Sequence, residues 1–223
     1  MSDTTTFEPD GRAIPYVDEG SGPAIVLVPG MGLNVRYLGP LAGALIEEDF
    51  RIVRIGSRHG ATQAGVTMHD LAQDVVDVMD HIGLASAWVG GHAFGGAIAR
   101  TVSLDHDGRA SGVLLLGVEA ADTHESDLSE LPPNARDTEV EAMQLAAREA
   151  TPVEEWAGLA AGVPVLVVQG TADTITPPAN GDALQASAPD RVSVVRIDGG
   201  GHLFPATHIG ETAWPIEDYL DWD

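Results

Sequence analysis

The sequence predicts an α/β fold, because short apolar segments alternate along the chain with segments of helical periodicity. The continuous apolar runs Ala24–Val28 and Val163–Gln169 are typical of strands buried inside a parallel sheet. Between them, Thr67 begins an amphipathic segment that continues to about Ile82 with one apolar face. Glycine-rich turns follow several of the apolar runs. Together these features indicate a sheet whose strands end in loops and whose faces are covered by helices.

The other elements follow from the same patterns in chain order. The predicted strands are the apolar runs Ala24–Val28, Arg51–Ile55, Ser86–Val89, Val113–Gly117, Val163–Gln169 and Val192–Ile197. The predicted helices carry an apolar stripe and cover Thr67–Ile82, Ala97–Leu104 and Thr138–Ala150. Another short helix is predicted with Thr151 as its N-cap, Pro152 in its first turn and Glu154 completing a capping box.

Length and composition fit one domain over residues 1–223. A chain of 223 residues, 44% of them hydrophobic, can bury one sizeable core. There is no apolar run of 18 residues, and the first ten residues are polar and acidic, so we expect a soluble, cytoplasmic protein. The absence of cysteine excludes disulfides, a thiolate nucleophile and a Cys-ligated metal, and the histidines lack metal-binding spacing. We expect neither a metal nor a cofactor.

The charge of the chain restricts its partners. The formal net charge is −23, and every basic residue is an arginine. Such a surface repels nucleic acid and anionic membranes. We therefore expect a small-molecule partner, and no nucleic acid or membrane partner, whereas the sequence leaves the oligomeric state open.

Residues 91–95, Gly-His-Ala-Phe-Gly, have the spacing of the G-x-S-x-G nucleophile elbow, except that Ala93 occupies the serine position. In that motif a strand turns sharply into a helix, which strains the central residue and leaves no room for side chains two positions away. Gly91 and Gly95 meet this requirement. Turns of small residues between a strand and a helix are common, so the assignment depends on companion residues elsewhere in the chain.

An acid and a histidine follow the elbow in the order that the motif requires. Asp173 comes just after the strand-like run Val163–Gln169, and His202 comes after the glycine-rich turn 199–201. With this ordered set, the chain resembles the α/β-hydrolase superfamily, the group of esterases, lipases and lactonases, from about Gly11 to Asp223.

The resemblance implies the α/β-hydrolase fold, a mostly parallel sheet of about eight strands with helices on both faces and a short lid at about 119–162. It implies that Ala93 (nucleophile position), Asp173 and His202 converge at the carboxyl ends of the strands, with a ring nitrogen of His202 within about 3.2 Å of the Asp173 carboxylate. It also implies an oxyanion hole formed by the backbone N–H groups of Met31 and Phe94. The implied substrate-binding residues are Gly30, Gly32, Leu33 and Trp156.

Several neighbours compete for these roles. His92, inside the elbow, is expected to be structural and buried beneath the nucleophile position. His208 lacks the preceding glycine-rich turn that marks His202. Among the rival acids, Asp182 falls in the helix after the strand and Asp198 lies too near the end of its strand.

Alanine has no lone pair with which to attack a carbonyl, so three interpretations remain. The favoured one is a hydrolase of small esters or lactones with a Ser-His-Asp mechanism, here in a nucleophile-knockout form (Ser to Ala at Ala93) that binds but does not turn over substrate. The second is a natural ligand-binding protein on the same fold, which a closed pocket and an unpaired Asp173 and His202 would favour. The third is a lyase or decarboxylase that uses His202 without a serine, which turnover by the present sequence would favour.

Overall fold

The computed structural model, described over residues 3–60, 64–121, 123 and 135–220, contains one nine-stranded sheet. The strands are β1 (Thr5–Phe7), β2 (Arg12–Gly20), β3 (Ala24–Val28), β4 (Arg51–Ile55), β5 (His59–Gly60), β6 (Ala87–Ala93), β7 (Ala110–Val118), β8 (Val165–Gly170) and β9 (Val192–Ile197). Their order is β1-β2-β4-β3-β6-β7-β8-β9, and β5 pairs with β2. Strands β3, β4 and β6 to β9 are parallel, whereas β1, β2 and β5 pair antiparallel. The predicted, mostly parallel sheet is confirmed.

Helices cover both faces of this sheet, as predicted. They are α1 (Gly39–Glu47), α2 (Met68–His81), α3 (Phe94–Asp105), α4 (Thr138–Ala150), α5 (Val153–Trp156), α6 (Pro178–Ser187), α7 (Phe204–Thr207) and α8 (Ile209–Leu220). One buried apolar cluster joins the sheet to α2 and α3, and a second joins its other face to α1 and α8. Among these helices of the described chain, none is both long and apolar enough to cross a membrane.

Helix α2 begins where the sequence predicts, with a capping box at Thr67. The Thr67 hydroxyl oxygen accepts a hydrogen bond from the backbone N–H of Asp70, and the Asp70 carboxylate accepts one from the N–H of Thr67. One carboxylate of this helix is buried: Asp74 is only 3% exposed and lies 2.5 Å from both Arg12 and Arg58. The two guanidinium groups partly compensate this burial, and they attach β2, through Arg12, and the loop after β4, through Arg58, to α2.

The predicted N-cap at Thr151 is wrong. Helix α5 begins at Val153 with Pro152 before it, and no side chain caps it. The Thr151 hydroxyl instead donates to the carbonyl oxygen of Ala147 at 2.8 Å and accepts a hydrogen bond from the N–H of Met68 at 3.0 Å. Thr151 therefore ends α4 and satisfies a free N–H at the start of α2.

Strand β6 is longer than the predicted Ser86–Val89, because it continues through glycines to Ala93. A Cβ added at Gly90 would overlap the carbonyl oxygen of Leu114 on the neighbouring strand. These glycines allow a close approach of the two backbones, and they carry no apolar side chain to mark them as strand in the sequence. Of the predicted lid, α4 and α5 are described, whereas residues 122 and 124–134, most of the predicted loop, lie outside the described residues.

Candidate active site

The turn from β6 into α3 has the geometry of a nucleophile elbow. Ala93 has φ 47° and ψ −107°, a conformation that residues with a side chain rarely adopt, and α3 begins with the next residue. A Cβ added at either Gly91 or Gly95 would overlap the carbonyl oxygen of Val28 on β3. The two flanking glycines are thus required by the packing of the turn against β3, and the methyl group of Ala93 between them is buried.

Asp173 and His202 meet at the carboxyl ends of β8 and β9. The His202 Nδ1 atom lies 3.1 and 3.2 Å from the two carboxylate oxygens of Asp173, within the distance predicted from the sequence. The same carboxylate accepts hydrogen bonds from the N–H groups of Ile175 and Thr176, each at 2.9 Å, and from the Thr176 hydroxyl at 2.6 Å. The carboxylate is therefore held in a fixed orientation towards the imidazole, so that Nδ1 faces Asp173 and Nε2 is left for other chemistry.

The environment of Asp173 favours its ionised form. Burial by itself raises the pKa of this carboxyl group, but the hydrogen bond and charge of His202 and the hydrogen bonds from Thr176 outweigh it. The net effect lowers the pKa of Asp173 below its ordinary value. An ionised acid next to Nδ1 stabilises the protonated form of the imidazole.

His92 is buried, as predicted, and it contacts the loop that carries His202. The two imidazole rings lie 4.5 Å apart between centroids, and His92 Nε2 lies 2.9 Å from the backbone carbonyl oxygen of His202. Burial and the nearby charge of His202 lower the pKa of His92 to about 3, so its ring is neutral and Nε2 carries the hydrogen that this carbonyl accepts. His92 therefore positions His202 next to the elbow.

The loop after β3 is fixed from α4. The backbone N–H of Gly32 donates to Gln144 Oε1 at 2.7 Å, and Gln144 Nε2 donates to the Ser57 hydroxyl at 2.5 Å. A Cβ added at Gly30 would lie 2.9 Å from His92 Nδ1, so the loop passes directly over the elbow. Within the described residues, the N–H groups of Met31 and Phe94, predicted to bind the oxyanion, make no hydrogen bond to another residue.

A cavity of about 570 Å³ lies beside this loop, at the ends of β3 and β4. Its wall includes Leu33 and Tyr37 from the loop, Val140 from α4, and Leu203, which follows His202. Most of its lining is apolar, which suits the hydrocarbon part of a small substrate. Leu33 is thus the predicted substrate-binding residue that lines this cavity.

The other predicted substrate-binding residues lie elsewhere. Gly30 and Gly32 are buried within the loop itself. Trp156 is 2% exposed and belongs to the apolar core on the α2 and α3 side of the sheet, and it is absent from the cavity wall. The position of Trp156 in the predicted lid does not reveal this burial, which arises because helix α5 packs against α3.

The residues that compete in the sequence with Asp173 and His202 do not take part in the pair that these two form. The His208 ring contacts the Thr207 hydroxyl, and Asp182 forms an exposed ion pair with Arg196. Within the described residues, the exposed Asp198 makes no hydrogen bond to His202, whereas Asp173 does. Among the described residues, no group of three His, Asp or Glu side chains is arranged to hold a metal ion.

Three residues near the candidate active site are not predicted by the sequence analysis. Gln144 supports the loop after β3, Thr176 binds the carboxylate of Asp173, and Glu119 is a buried acid at the end of β7. Thr176 follows Asp173 by three residues, the spacing of a local side-chain turn, and could have been inferred from it. Gln144 and Glu119 have no local signal, because their partners come from distant segments.

Part of this chain is similar in sequence to a curated protein. A curated relative, the putative carbamate hydrolase RutD of Variovorax paradoxus (strain S110), is 30% identical over 100 residues, which are 43% of this chain and 38% of the relative. This match thus spans well under half of the relative's length.

Solved structures share the fold over nearly the whole chain. A thermophilic esterase from Thermogutta terrifontis superposes with a TM-score of 0.72 at 20% identity, over 99% of this chain and 98% of its own. The N-acyl homoserine lactone degrading enzyme Est816 gives 0.76 at 20% identity over 96% and 100%. The epoxide hydrolase VrEH1 from Vigna radiata gives 0.76 at 14% identity over 99% and 98%. At such identities the likeness is one of fold.

The family model of the alpha/beta hydrolase fold matches residues 23–153, more than half of the chain, and this segment contains the loop after β3, the elbow and α4. The chain therefore belongs to the alpha/beta hydrolase family.

Proposed function

We propose that this chain is a hydrolase of small esters or lactones whose Ser-His-Asp machinery lacks only the nucleophile oxygen at Ala93. The observation that carries the proposal is the backbone of Ala93, which keeps φ 47° and ψ −107° beside the paired Asp173 and His202. An alanine gains nothing from this strained conformation, whereas a serine there would present its hydroxyl group at the carboxyl edge of the sheet.

The mechanism follows from the placement of each group. A serine at position 93 would attack the carbonyl carbon while His202 Nε2 accepted its proton and Asp173 stabilised the imidazolium. The developing oxyanion would accept hydrogen bonds from the N–H groups of Met31 and Phe94, each worth about 3 to 4 kcal/mol in the transition state. With Ala93 in place, the carbonyl group can bind but no acyl-enzyme forms.

The substrate class rests on the shape of the cavity and on the relatives. The cavity of about 570 Å³ beside Leu33 has room for a small acyl or alcohol group. The similar proteins include an esterase and an enzyme that degrades a lactone, and the curated relative is a putative carbamate hydrolase. An ester, a lactone and a carbamate are each cleaved at a bond next to a carbonyl group. From the charge and composition of the sequence, we also propose that the partner is a small molecule and that the protein is cytoplasmic.

The decisive experiment is Ala93→Ser. We expect hydrolysis of short-chain nitrophenyl esters or simple lactones to rise by about 10³-fold or more over the present chain, because the triad members act as a unit. The matched control is Ala97→Ser, which adds the same hydroxyl group one turn along α3, at a site that is 1% exposed. This control should leave the rate unchanged.

Two double variants test the roles of the partners. Adding His202→Ala to Ala93→Ser should abolish the gain, and adding Asp173→Asn should reduce kcat by about 10⁴-fold. A folded Ala93→Ser protein that is inactive across this panel would falsify the proposal, especially if the present chain turned over another substrate.

The pairing of Asp173 with His202 beside an elbow that carries alanine supports one alternative, a lyase or decarboxylase in which His202 acts as the base without a serine. That alternative predicts turnover by the Ala93 form and loss of it in His202→Ala. The same pairing argues against the alternative of a non-catalytic binding protein, which has no need for an oriented acid and base.

A further inference from the structure

A second cavity, of about 280 Å³, lies between α3, α5 and α6 beyond the carboxyl end of β7. Its wall includes one cationic residue, Arg100, one acidic residue, Glu119, and the small or apolar side chains of Ala157, Ala183 and Leu184. Asn180 on α6 also lines it. Ala93, Asp173 and His202 are not part of this wall, and the wall shares no residue with the cavity beside Leu33.

Among the described residues, no carboxylate forms a hydrogen bond or ion pair with the buried Arg100. The structure describes three buried arginines, and two of them, Arg54 and Arg58, each contact a carboxylate directly. Arg100 is 3% exposed, and its guanidinium group donates only to backbone carbonyl oxygens, from Nε to Gly158 at 3.1 Å and from Nη1 to Glu119 at 3.4 Å. Its Nη2 atom makes no hydrogen bond within the described residues, so part of this donor group remains unused.

The acidic residue of this wall, Glu119, has one carboxylate oxygen engaged, whereas its Oε2 atom has no hydrogen-bond partner within the described residues. The Glu119 carboxylate is fully buried and lies 2.5 Å from Arg148 Nη1 on α4. When all three groups are ionised, Arg100, Arg148 and Glu119 therefore carry one excess positive charge inside a chain whose formal net charge is −23. Burial, opposed by the charge of Glu119, lowers the pKa of Arg100 to about 10, as expected for a cation whose charge is incompletely compensated.

We propose that this cavity binds a small aliphatic carboxylate, with its anionic group against Arg100 and its hydrocarbon part against Ala157, Ala183 and Leu184. A guanidinium group binds a carboxylate through parallel N–H donors, and a bound anion would neutralise the excess charge. Asn180 Nδ2 donates one hydrogen to the Val118 carbonyl oxygen at 2.9 Å, which leaves its second N–H for the ligand. The side chains of Ala157, Ala183 and Leu184 offer no polar partner to the further oxygens of a phosphate, which disfavours phosphate as the ligand.

Propionate is a suitable probe, with propionamide as its uncharged isostere. We expect sodium propionate to raise the Tm of the present chain by about 2 °C more than sodium chloride at the same ionic strength, and to bind with Kd on the order of 1 mM. The chloride reference corrects for screening of the acidic surface, which affects all salts alike. Propionamide should have no such effect. Equal shifts with propionate and chloride, or with propionate and propionamide, would overturn the proposal.

Two variants locate the site. Arg100→Gln should weaken propionate binding by at least 10-fold. Because that change also alters the hydrogen bonds of α3 to Gly158, Ala183→Leu provides a second test that keeps Arg100 and fills the cavity from α6. Its matched control is Ala186→Leu, at an exposed position of the same helix outside the wall. Loss of binding in Ala183→Leu but not in Ala186→Leu supports the site, whereas unchanged binding in Ala183→Leu contradicts it. Neither result depends on hydrolysis at position 93.

Discussion

His92 Nε2 lies 2.9 Å from the backbone carbonyl oxygen of His202, so a buried histidine inside the elbow holds the loop that carries the proposed base. The ring is fully buried and uncharged, since its pKa is lowered to about 3. In the unfolded chain a histidine titrates near its ordinary pKa of about 6.5. The difference between the folded and the unfolded pKa of His92 makes the stability of the protein depend on pH.

The prediction is that His92→Phe flattens the acid limb of the stability curve. Because the folded pKa is lower than the unfolded pKa, stability is greatest above about pH 6.5 and is lost as the unfolded state takes up a proton between pH 6.5 and 3. Each pH unit in that window removes up to about 1.4 kcal/mol. Urea denaturation at pH 4.5, 5.5, 6.5 and 7.5 should show a smaller slope in His92→Phe than in the present chain.

The measurement stays above pH 4.5, since the lowered pKa of Asp173 makes its own contribution fall away at more acidic pH. His59→Gln, at a half-exposed position, is the control for the loss of one histidine. An equal slope in the present chain and in His92→Phe would show that His92 is not held neutral by burial.

Gln144→Leu should destabilise the loop after β3. It leaves the N–H of Gly32 buried without its acceptor, which costs about 1 to 3 kcal/mol. Ser57→Ala removes only the outer hydrogen bond of the same glutamine and should cost less. Chemical denaturation measures both. In the Ala93→Ser background, Gln144→Leu should also lower kcat, because Met31 is the neighbour of Gly32. A cost for Ser57→Ala equal to that for Gln144→Leu would contradict this account.

Gly95→Ala and Gly43→Ala should have opposite effects on the stability of the fold. A Cβ at Gly95 would overlap the backbone of β3, so we expect this variant to lose several kcal/mol or to fail to fold. Gly43 lies in α1 with nothing within 4 Å of an added Cβ, and replacing a helical glycine by alanine stabilises by roughly 0.5 to 1 kcal/mol. The soluble yield and the denaturation midpoint of each variant measure these two effects. A stable Gly95→Ala protein would show that the elbow is looser than its packing indicates.

The sequence by itself determines the elements whose signal is local. The elbow around Ala93 is readable because its backbone strain demands glycine on both sides, and a glycine at a fixed spacing is visible without any structure. Asp173 and His202 are readable because each directly follows an apolar strand in the order that the motif requires. The carboxyl ends of parallel strands meet at one edge, so this order alone brings the two side chains close together.

Only the tertiary structure decides which distant side chains support these residues. Gln144 binds the N–H of Gly32 across 112 residues of chain, and Thr151 satisfies the start of α2 across 83. The cavity beside Arg100 exists because α3, α5 and α6 meet there. A hydrogen bond or ion pair between distant segments depends on where the sheet and its helices place them, and a polar side chain looks the same in the sequence whether it will be solvated or buried against a partner.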